Sequence, residues 1–320
     1  MSFTAEVKDE LSRVKRKSTA ADMAELAALI RICGTLSFRG PGRFSIRVST
    51  ETGAVARMVL GLTHDVFNLK TKLTFRQSIL HKTRNYLIEI PEQDNLQDAL
   101  VKMGILTPEG SLAQGINQDL LCNTTCCDAF IRGTFLAGGF IADPRGDFHL
   151  EIAVTGDQFA NQLVELVNKR GVHARLNHRR GAFALYLKSY DDIVALLLML
   201  GARRMSRTLI KVRQMKSLKN DVNRRVNAEI ANQARSTDAA ASQLDLIDFI
   251  DKTRGIQSLP ASLRMFCELR RDFPELSLRD LGQQCTPALS KSALYHRLLR
   301  LQEIERQLKA EHAMSEAVKH

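Results

Sequence analysis

Two stretches of this chain, about 110 residues apart, share one unusual pattern: a helix-forming run loaded with alanine and glycine. The first is Leu26-Ala27-Ala28-Leu29-Ile30-Arg31-Ile32-Cys33-Gly34, and the second is Leu136-Ala137-Gly138-Gly139-Phe140-Ile141-Ala142-Asp143-Pro144. Residues this small let two helix backbones approach closely, which carries the groups at the helix ends towards a shared centre. Those end groups decide whether metal chemistry is available. One run offers Asp143, whereas the matching place in the other is Cys33, a poor ligand for a hard ion such as magnesium. The nearby acids Asp147 and Glu151 do not restore the missing partner. The asymmetry argues for binding rather than cutting.

The elements around each run repeat. In the first half a buried helix is expected over 21–36. A strand follows in which Phe44, Ile46 and Val48 alternate with Arg43, Ser45 and Arg47. A helix over 52–67, strands over 72–78 and 85–90 around the turn His81-Lys82-Thr83-Arg84, and a helix over 95–103 complete it. In the second half the helix covers 128–141, and Phe148, Leu150, Ile152 and Val154 alternate as a strand. An amphipathic helix over 157–170, strands over 172–178 and 182–188, and a helix over 191–200 follow. The order α-β-α-β-β-α thus occurs twice, the mark of an internal duplication. The fold class read from it is α+β, a duplicated saddle followed by helices only. Arg43, Arg47, Arg76, Arg175, Arg179 and Arg180 are candidates for one concave sheet face.

With 46 Lys and Arg against 35 Asp and Glu, the chain carries a net charge of +11, which points to a polyanionic partner. The excess is concentrated. Arg203, Arg204, Arg207, Lys211, Arg213, Lys216, Lys219, Arg224 and Arg225 face Asp221 alone, a net of +8 within that stretch. Such a run neutralises phosphate and releases counterions but does not specify sequence. A solvated basic helix is the plainer alternative. No apolar run approaches the roughly 20 residues of a membrane span, and the N-terminus lacks a signal-peptide pattern, so a cytoplasmic location is expected. Cys122, Cys126 and Cys127 cluster without a partner at zinc-like spacing, so buried thiols are the better reading. No cofactor or metal is expected.

After the basic stretch, 231–241 reads as a hinge or helix start and 242–253 as a short helix ended by Gly255. Three further helices then follow. Leu263, Phe266, Leu269 and Phe273 sit at helical spacing; Ser277 caps a short helix with Leu278 and Leu281 inward; Ser290 caps a third helix with Leu294, Leu298 and Leu301 buried. Two short helices, a tight turn and a basic third helix make a helix-turn-helix, in which the first turns of the last helix meet base edges. The exposed set is Lys291, Ser292, Tyr295, His296 and Arg297, with Arg300 near the backbone. A plain three-helix bundle with a solvated basic face is the competing interpretation.

The chain resembles the WhiA family of bacterial sporulation and cell-division regulators over nearly its full length. The resemblance rests on the start Met1-Ser2-Phe3-Thr4-Ala5-Glu6-Val7-Lys8 and on the paired Ala/Gly helices, similar to those of LAGLIDADG homing endonucleases. It also rests on Lys219-Asn220-Asp221-Val222-Asn223-Arg224-Arg225-Val226-Asn227 and on Leu289-Ser290-Lys291-Ser292-Ala293-Leu294-Tyr295-His296-Arg297-Leu298. The resemblance implies a LAGLIDADG-like domain that has lost cleavage, with Cys33 and Asp143 as its degenerate motif positions. It implies a helix-turn-helix similar to region four of primary sigma factors, promoter DNA and RNA polymerase as partners, and in actinobacteria a WhiB-type iron-sulfur partner. Location with the nucleoid follows. The expected division is a basic segment at 1–20, the duplicated domain at 21–202 (halves 21–106 and 128–202), a basic helical linker at 203–257, the helix-turn-helix at 258–310 and a tail at 311–320. The rival readings are an active endonuclease of the same fold and a scaffold that binds protein or RNA.

Overall fold

The computed structural model describes residues 2–38, 40, 42–77, 84–179 and 181–317. Residues 81–83 of the expected turn, and the candidate Arg180, lie outside them. The chain divides into two compact units, Met1–Ser217 and Leu218–His320.

The first unit contains two copies of one arrangement. The first copy runs α1 (Phe3–Leu11), α2 (Thr19–Cys33), β1 (Gly34–Phe38), β2 (Phe44–Thr50), α3 (Gly53–Phe67), β3 (Lys72–Gln77), β4 (Arg84–Ile90) and α4 (Leu96–Lys102). The second runs α5 (Thr124–Gly138), β5 (Gly139–Ile141), β6 (Leu150–Val154), α6 (Asp157–Lys169), β7 (Arg175–Arg179), β8 (Ala182–Leu187) and α7 (Tyr190–Leu200). Each copy has an antiparallel four-stranded sheet, in the orders β1-β2-β4-β3 and β5-β6-β8-β7. From the small-residue helix onward each reads α-β-β-α-β-β-α. The sequence-derived order therefore missed the first strand of each sheet. Both small-residue helices stop at glycine: Gly34 (φ −87°, ψ 139°) and Gly139 (φ −77°, ψ 142°) turn the backbone extended. A Cβ at either would lie 2.4 Å from the carbonyl oxygen four residues earlier, that of Ile30 or Phe135. Apolar residues continue past the break, so periodicity alone carries the helix too far.

Ile46, Val48, Ile88 and Ile90 of the first sheet, and Leu150, Ile152, Leu185 and Leu187 of the second, are buried in one core with α2 and α5. The two helices meet where Gly133 has no side chain: a Cβ there would stand 2.4 Å from the Glu25 carbonyl oxygen and 2.9 Å from the Ala28 Cβ. The same contact carries a buried ion pair. Arg132 Nε donates to Glu25 Oε1 at 2.6 Å and its Nη2 to Oε2 at 2.5 Å. Segment 1–20, read as a basic lead-in, instead begins with a helix whose Val7 and Leu11 are buried in that core. Thr4 Oγ1 donates to the Ile141 carbonyl at 2.8 Å and accepts from its amide at 3.0 Å, fixing α1 to β5.

A single helix, α8 (Arg203–Arg254), occupies the stretch expected as a basic helical linker at 203–257, and runs unbroken through the expected hinge at 231–241 and the separate short helix at 242–253. No Gly or Pro occurs within it, so nothing local interrupts its hydrogen-bond ladder. In the second unit the end of α8 packs with α9 (Ala261–Asp272), α10 (Leu278–Gln283) and α11 (Lys291–Ala317) around Ile247, Ile250, Phe266, Leu281, Leu294 and Leu301. Arg270 is buried among them and donates to Gln243 Oε1 at 3.0 Å and to the Leu276 carbonyl at 2.6 Å.

Replacing Arg132 with Met leaves the Glu25 carboxylate buried without its partner, which costs about 3–5 kcal/mol. Burial pushes the Glu25 carboxyl up, so in Arg132→Met the folded state binds a proton that the unfolded state does not. Stability of the variant then rises as the pH falls through the raised folded value. Urea denaturation of both proteins across that range checks the sign and the size.

Candidate nucleic-acid interface

The turn between α10 and α11 depends on Gly282, where an added Cβ would lie 2.3 Å from the Leu289 carbonyl oxygen. The Leu289 amide donates to the Gly282 carbonyl at 2.9 Å. Ser277 and Ser290 cap the two helices, accepting from the amides of Asp280 and Ala293, each at 3.2 Å. Behind these caps, Leu294, Leu298 and Leu301 anchor α11. Lys291, Ser292, Tyr295, His296 and Arg300 are then exposed along its first turns. Arg297 departs from the expected set. It is half-buried and its Nη1 donates to Met265 Sδ of α9 at 3.9 Å, so it braces the bundle. Its position three after Leu294 already places it beside the buried stripe, a signal that the count of basic residues overrode. Leu299, 42% exposed, lies on the outward face and was not singled out from sequence; it could contact a thymine methyl.

Along α8, Arg203, Arg204, Arg207, Lys211, Lys219, Arg224 and Arg225 are exposed. Two of the nine candidates are occupied. The Arg213 guanidinium stacks 4.0 Å from the Tyr190 ring centroid and donates to Asp191 Oδ1 at 3.0 Å. Lys216 sits 5.0 Å over the Phe148 ring and donates to the Gly146 carbonyl. The helix start is held by Glu10, whose two oxygens accept from the amides of Arg204 at 2.7 Å and Met205 at 2.9 Å. A carboxylate there satisfies orphan donors and complements the helix dipole. Sequence reading also passed over Leu218, Val222, Val226 and Ile230, which form an exposed apolar row on the same helix.

At the helix ends the structure corrects the assignment of Asp143. Gly34 pairs with Val48 of β2, and Gly139 occupies the same place in the second copy, paired with Ile152 of β6. The position equivalent to Cys33 is therefore Gly138, the last residue of α5. Asp143 lies five residues further on, in the turn between β5 and β6, where its carbonyl accepts from the Gly146 amide and its Oδ1 from the Arg145 amide, both at 2.9 Å. Neither helix end presents a carboxylate. Burial pushes the Cys33 thiol up to about 11, which keeps it neutral, and it donates to the Leu29 carbonyl at 2.9 Å. Among the described residues no group of three or more His, Cys, Asp and Glu is arranged to hold a metal ion.

The strand arginines separate by register. Arg47 and Arg76 occupy outward positions of the first sheet and Arg175 of the second, each opposite to the buried core rows. Arg179 holds the register position opposite Ala182. Arg43, just before β2, pairs with Glu92 at 2.6 Å. Glu89 lies between Arg47 and Lys72 in register, and Glu151 lies on the second outward face. These faces are therefore mixed in charge, not uniformly basic.

Three family models match the chain: the WhiA N-terminal LAGLIDADG-like domain at residues 19–106, the WhiA LAGLIDADG-like domain at 127–219 and the WhiA C-terminal helix-turn-helix domain at 222–305. The probable cell division protein WhiA of Clostridium novyi is 37% identical over 315 residues, covering 97% of this chain and 99% of that protein. Its counterpart in Heliobacterium modesticaldum is 37% identical over 305 residues, covering 95% and 96%. The crystal structure of full-length WhiA from Thermotoga maritima matches with a TM-score of 0.60 and 26% identity, over 96% of this chain and 99% of that one. No described helix is long and apolar enough to cross a membrane.

Gly282→Ala forces the Leu289 carbonyl away and destabilises the second unit by about 1–3 kcal/mol. In hydrogen exchange of the full chain, protection is lost in α10 and the first turns of α11 while α2 and α5 keep theirs.

Proposed function

The chain belongs to the WhiA family, and on that premise we propose that it is a sequence-specific DNA-binding regulator of transcription that does not cleave DNA. The observation that carries the proposal is the row Lys291, Ser292, Tyr295 and His296, exposed on the first turns of a capped helix behind a glycine-tight turn. Lys and His donate to base acceptors in the major groove, and Ser and Tyr bond a base edge or phosphate. Arg300 and the free cations of α8 hold phosphate. The genes addressed are those of cell division, in keeping with the names of the relatives, and of sporulation, as the family resemblance implies, and the site of action is the nucleoid in the cytoplasm. RNA polymerase and a WhiB-type iron-sulfur protein are the partners this reading brings with it.

The chemistry at the helix ends supports the absence of cleavage. Metal-assisted attack on a phosphodiester uses carboxylates to hold divalent ions and activate water. A neutral thiol at Cys33 and a glycine at 138 supply neither. Supercoiled DNA incubated with magnesium or manganese stays intact under this reading; nicking by the purified protein would overturn it.

Gel shifts with promoter and scrambled duplexes across a salt series test the DNA reading. Lys291→Ala and His296→Ala each lose about 1–3 kcal/mol of discrimination while non-specific binding persists. Joint replacement of Lys219, Arg224 and Arg225 weakens binding to all duplexes and lowers the salt slope by about 0.9 per lost phosphate contact. Arg297→Ala loosens the α9–α11 packing without changing base preference. Equal affinity of the wild-type protein for promoter and scrambled DNA would defeat the proposal.

A further inference from the structure

Beside the ends of α2 and α5, a cavity of about 380 Å³ lies among α1, the end of β2 and the start of α3. That volume is within the range of small-ligand sites, about 300–1,000 Å³. Lys8 is the one cation among its described lining residues. Its side chain is half-buried, and among the described residues its ammonium donates to no acceptor and forms no ion pair. Burial lowers its pKa, and the opposing pull of the Glu51 carboxylate does not offset it. Glu51, the one carboxylate in the lining, is exposed and outside ion-pair distance. Cys33 beside Lys8 is neutral.

Further donors line the same cavity. Thr52 is the N-cap of α3, yet its side chain makes no capping bond, so its hydroxyl and the first amides of the helix are free to bind an anion. Ser49 donates to Asn85 Oδ1 at 2.9 Å, which leaves the Asn85 amide hydrogens available. Thr50 Oγ1 accepts from the Thr52 amide at 3.2 Å and keeps its own proton to give. The donors come from an ammonium, two hydroxyls, an amide group and a helix end. Together they outnumber what the two coplanar oxygens of a carboxylate can accept, and they suit a tetrahedral group with three or four oxygens.

We propose that this cavity is a phosphate-binding site, with Lys8 as the charge partner and Thr52, Asn85 and the first amides of α3 as hydrogen-bond donors. Ser49 and Asn85 also sit at outward positions of the first sheet, so the phosphate can belong to a DNA backbone or to a free phosphorylated molecule. The site does not depend on base reading by α11.

The test uses the full chain in two arms. In the first, inorganic phosphate is titrated against sodium chloride at constant ionic strength while the melting temperature is followed. Binding to the folded state raises it in a saturable manner, and Lys8→Gln and Thr52→Val each abolish the rise. In the second, affinity for a scrambled duplex is measured across a salt series, and Lys8→Gln lowers the slope by about 0.9. A response in the first arm assigns a free phosphate, and a response in the second alone assigns the DNA backbone. Thr52→Val keeps an uncharged, similarly sized side chain, so it stands as the second variant if Lys8→Gln does not fold. The proposal fails if both arms are silent, or if phosphate protects both variants as well as the wild-type protein. Promoter preference, set by α11, is the same in Lys8→Gln and wild type, so failure here is distinguishable from failure of the DNA-reading proposal.

Discussion

The Glu25 carbonyl oxygen and the missing side chain of Gly133 set the distance between α2 and α5. Because no side chain fits between the backbones there, the two helices can pack this closely only where one of them is glycine. The bidentate Glu25–Arg132 pair then fixes the longitudinal register of one helix on the other. Such a pair adds little net stability over an apolar substitute, but a slip along the helix would leave both charges buried and unpaired. Each helix passes through a single glycine into the first strand of its own sheet. The contact that positions the helices therefore positions both sheets, and with them the cavity that holds Lys8.

Much of this was legible in the sequence. The alternation of Phe44, Ile46 and Val48, and of Leu150, Ile152 and Val154, marked the strands that cover the helices, because one face of each sheet is buried and the other is wet. The caps Ser277 and Ser290 and the stripe Leu294, Leu298 and Leu301 located the helix-turn-helix to within a residue or two. Short strands after glycine were not legible. β1 and β5 continue the apolar composition of the helices before them, and the break lies in backbone geometry that hydropathy does not report. That single omission shifted the second motif by five residues and placed Asp143 where Gly138 stands. The continuity of α8 was hidden for the opposite reason: its middle has no buried face, so periodicity is silent there and only the lack of Gly and Pro speaks for a helix.

Charge on the chain serves two different ends. Arg213 and Lys216 lie against Tyr190 and Phe148, and their aliphatic stems cover apolar surface as their charged heads meet ring faces and oxygens. They attach α8 to the first unit and are unavailable to a polyanion without breaking that attachment. In the proposed function the exposed remainder, from Arg203 to Arg225, supplies long-range attraction that weakens with salt and treats all duplexes alike. In the proposed function, discrimination depends instead on the few side chains of α11 that reach outward, where a single hydrogen-bond mismatch outweighs several exposed ion pairs. That proposal puts affinity and specificity on different helices, with different responses to salt.

A similar separation holds between the packing of the helix pair and the metal chemistry that the proposed function excludes. Packing requires small residues at Ala28 and Gly133, in the middle of the helix contact. Cleavage requires carboxylates one to two turns later, at the ends now occupied by Cys33 and Gly138. The two requirements fall on different residues, so the acids can be lost with the helix pair intact. The residues at these ends also set the local electrostatics. Carboxylates at these ends would have offered Lys8 a further anion; with a neutral thiol and a glycine in their place, Glu51 is the one carboxylate in the described lining, and the ammonium forms no ion pair with it. A centre suited to binding cations becomes one suited to holding a phosphate by a fixed positive charge, which needs no metal and activates no water.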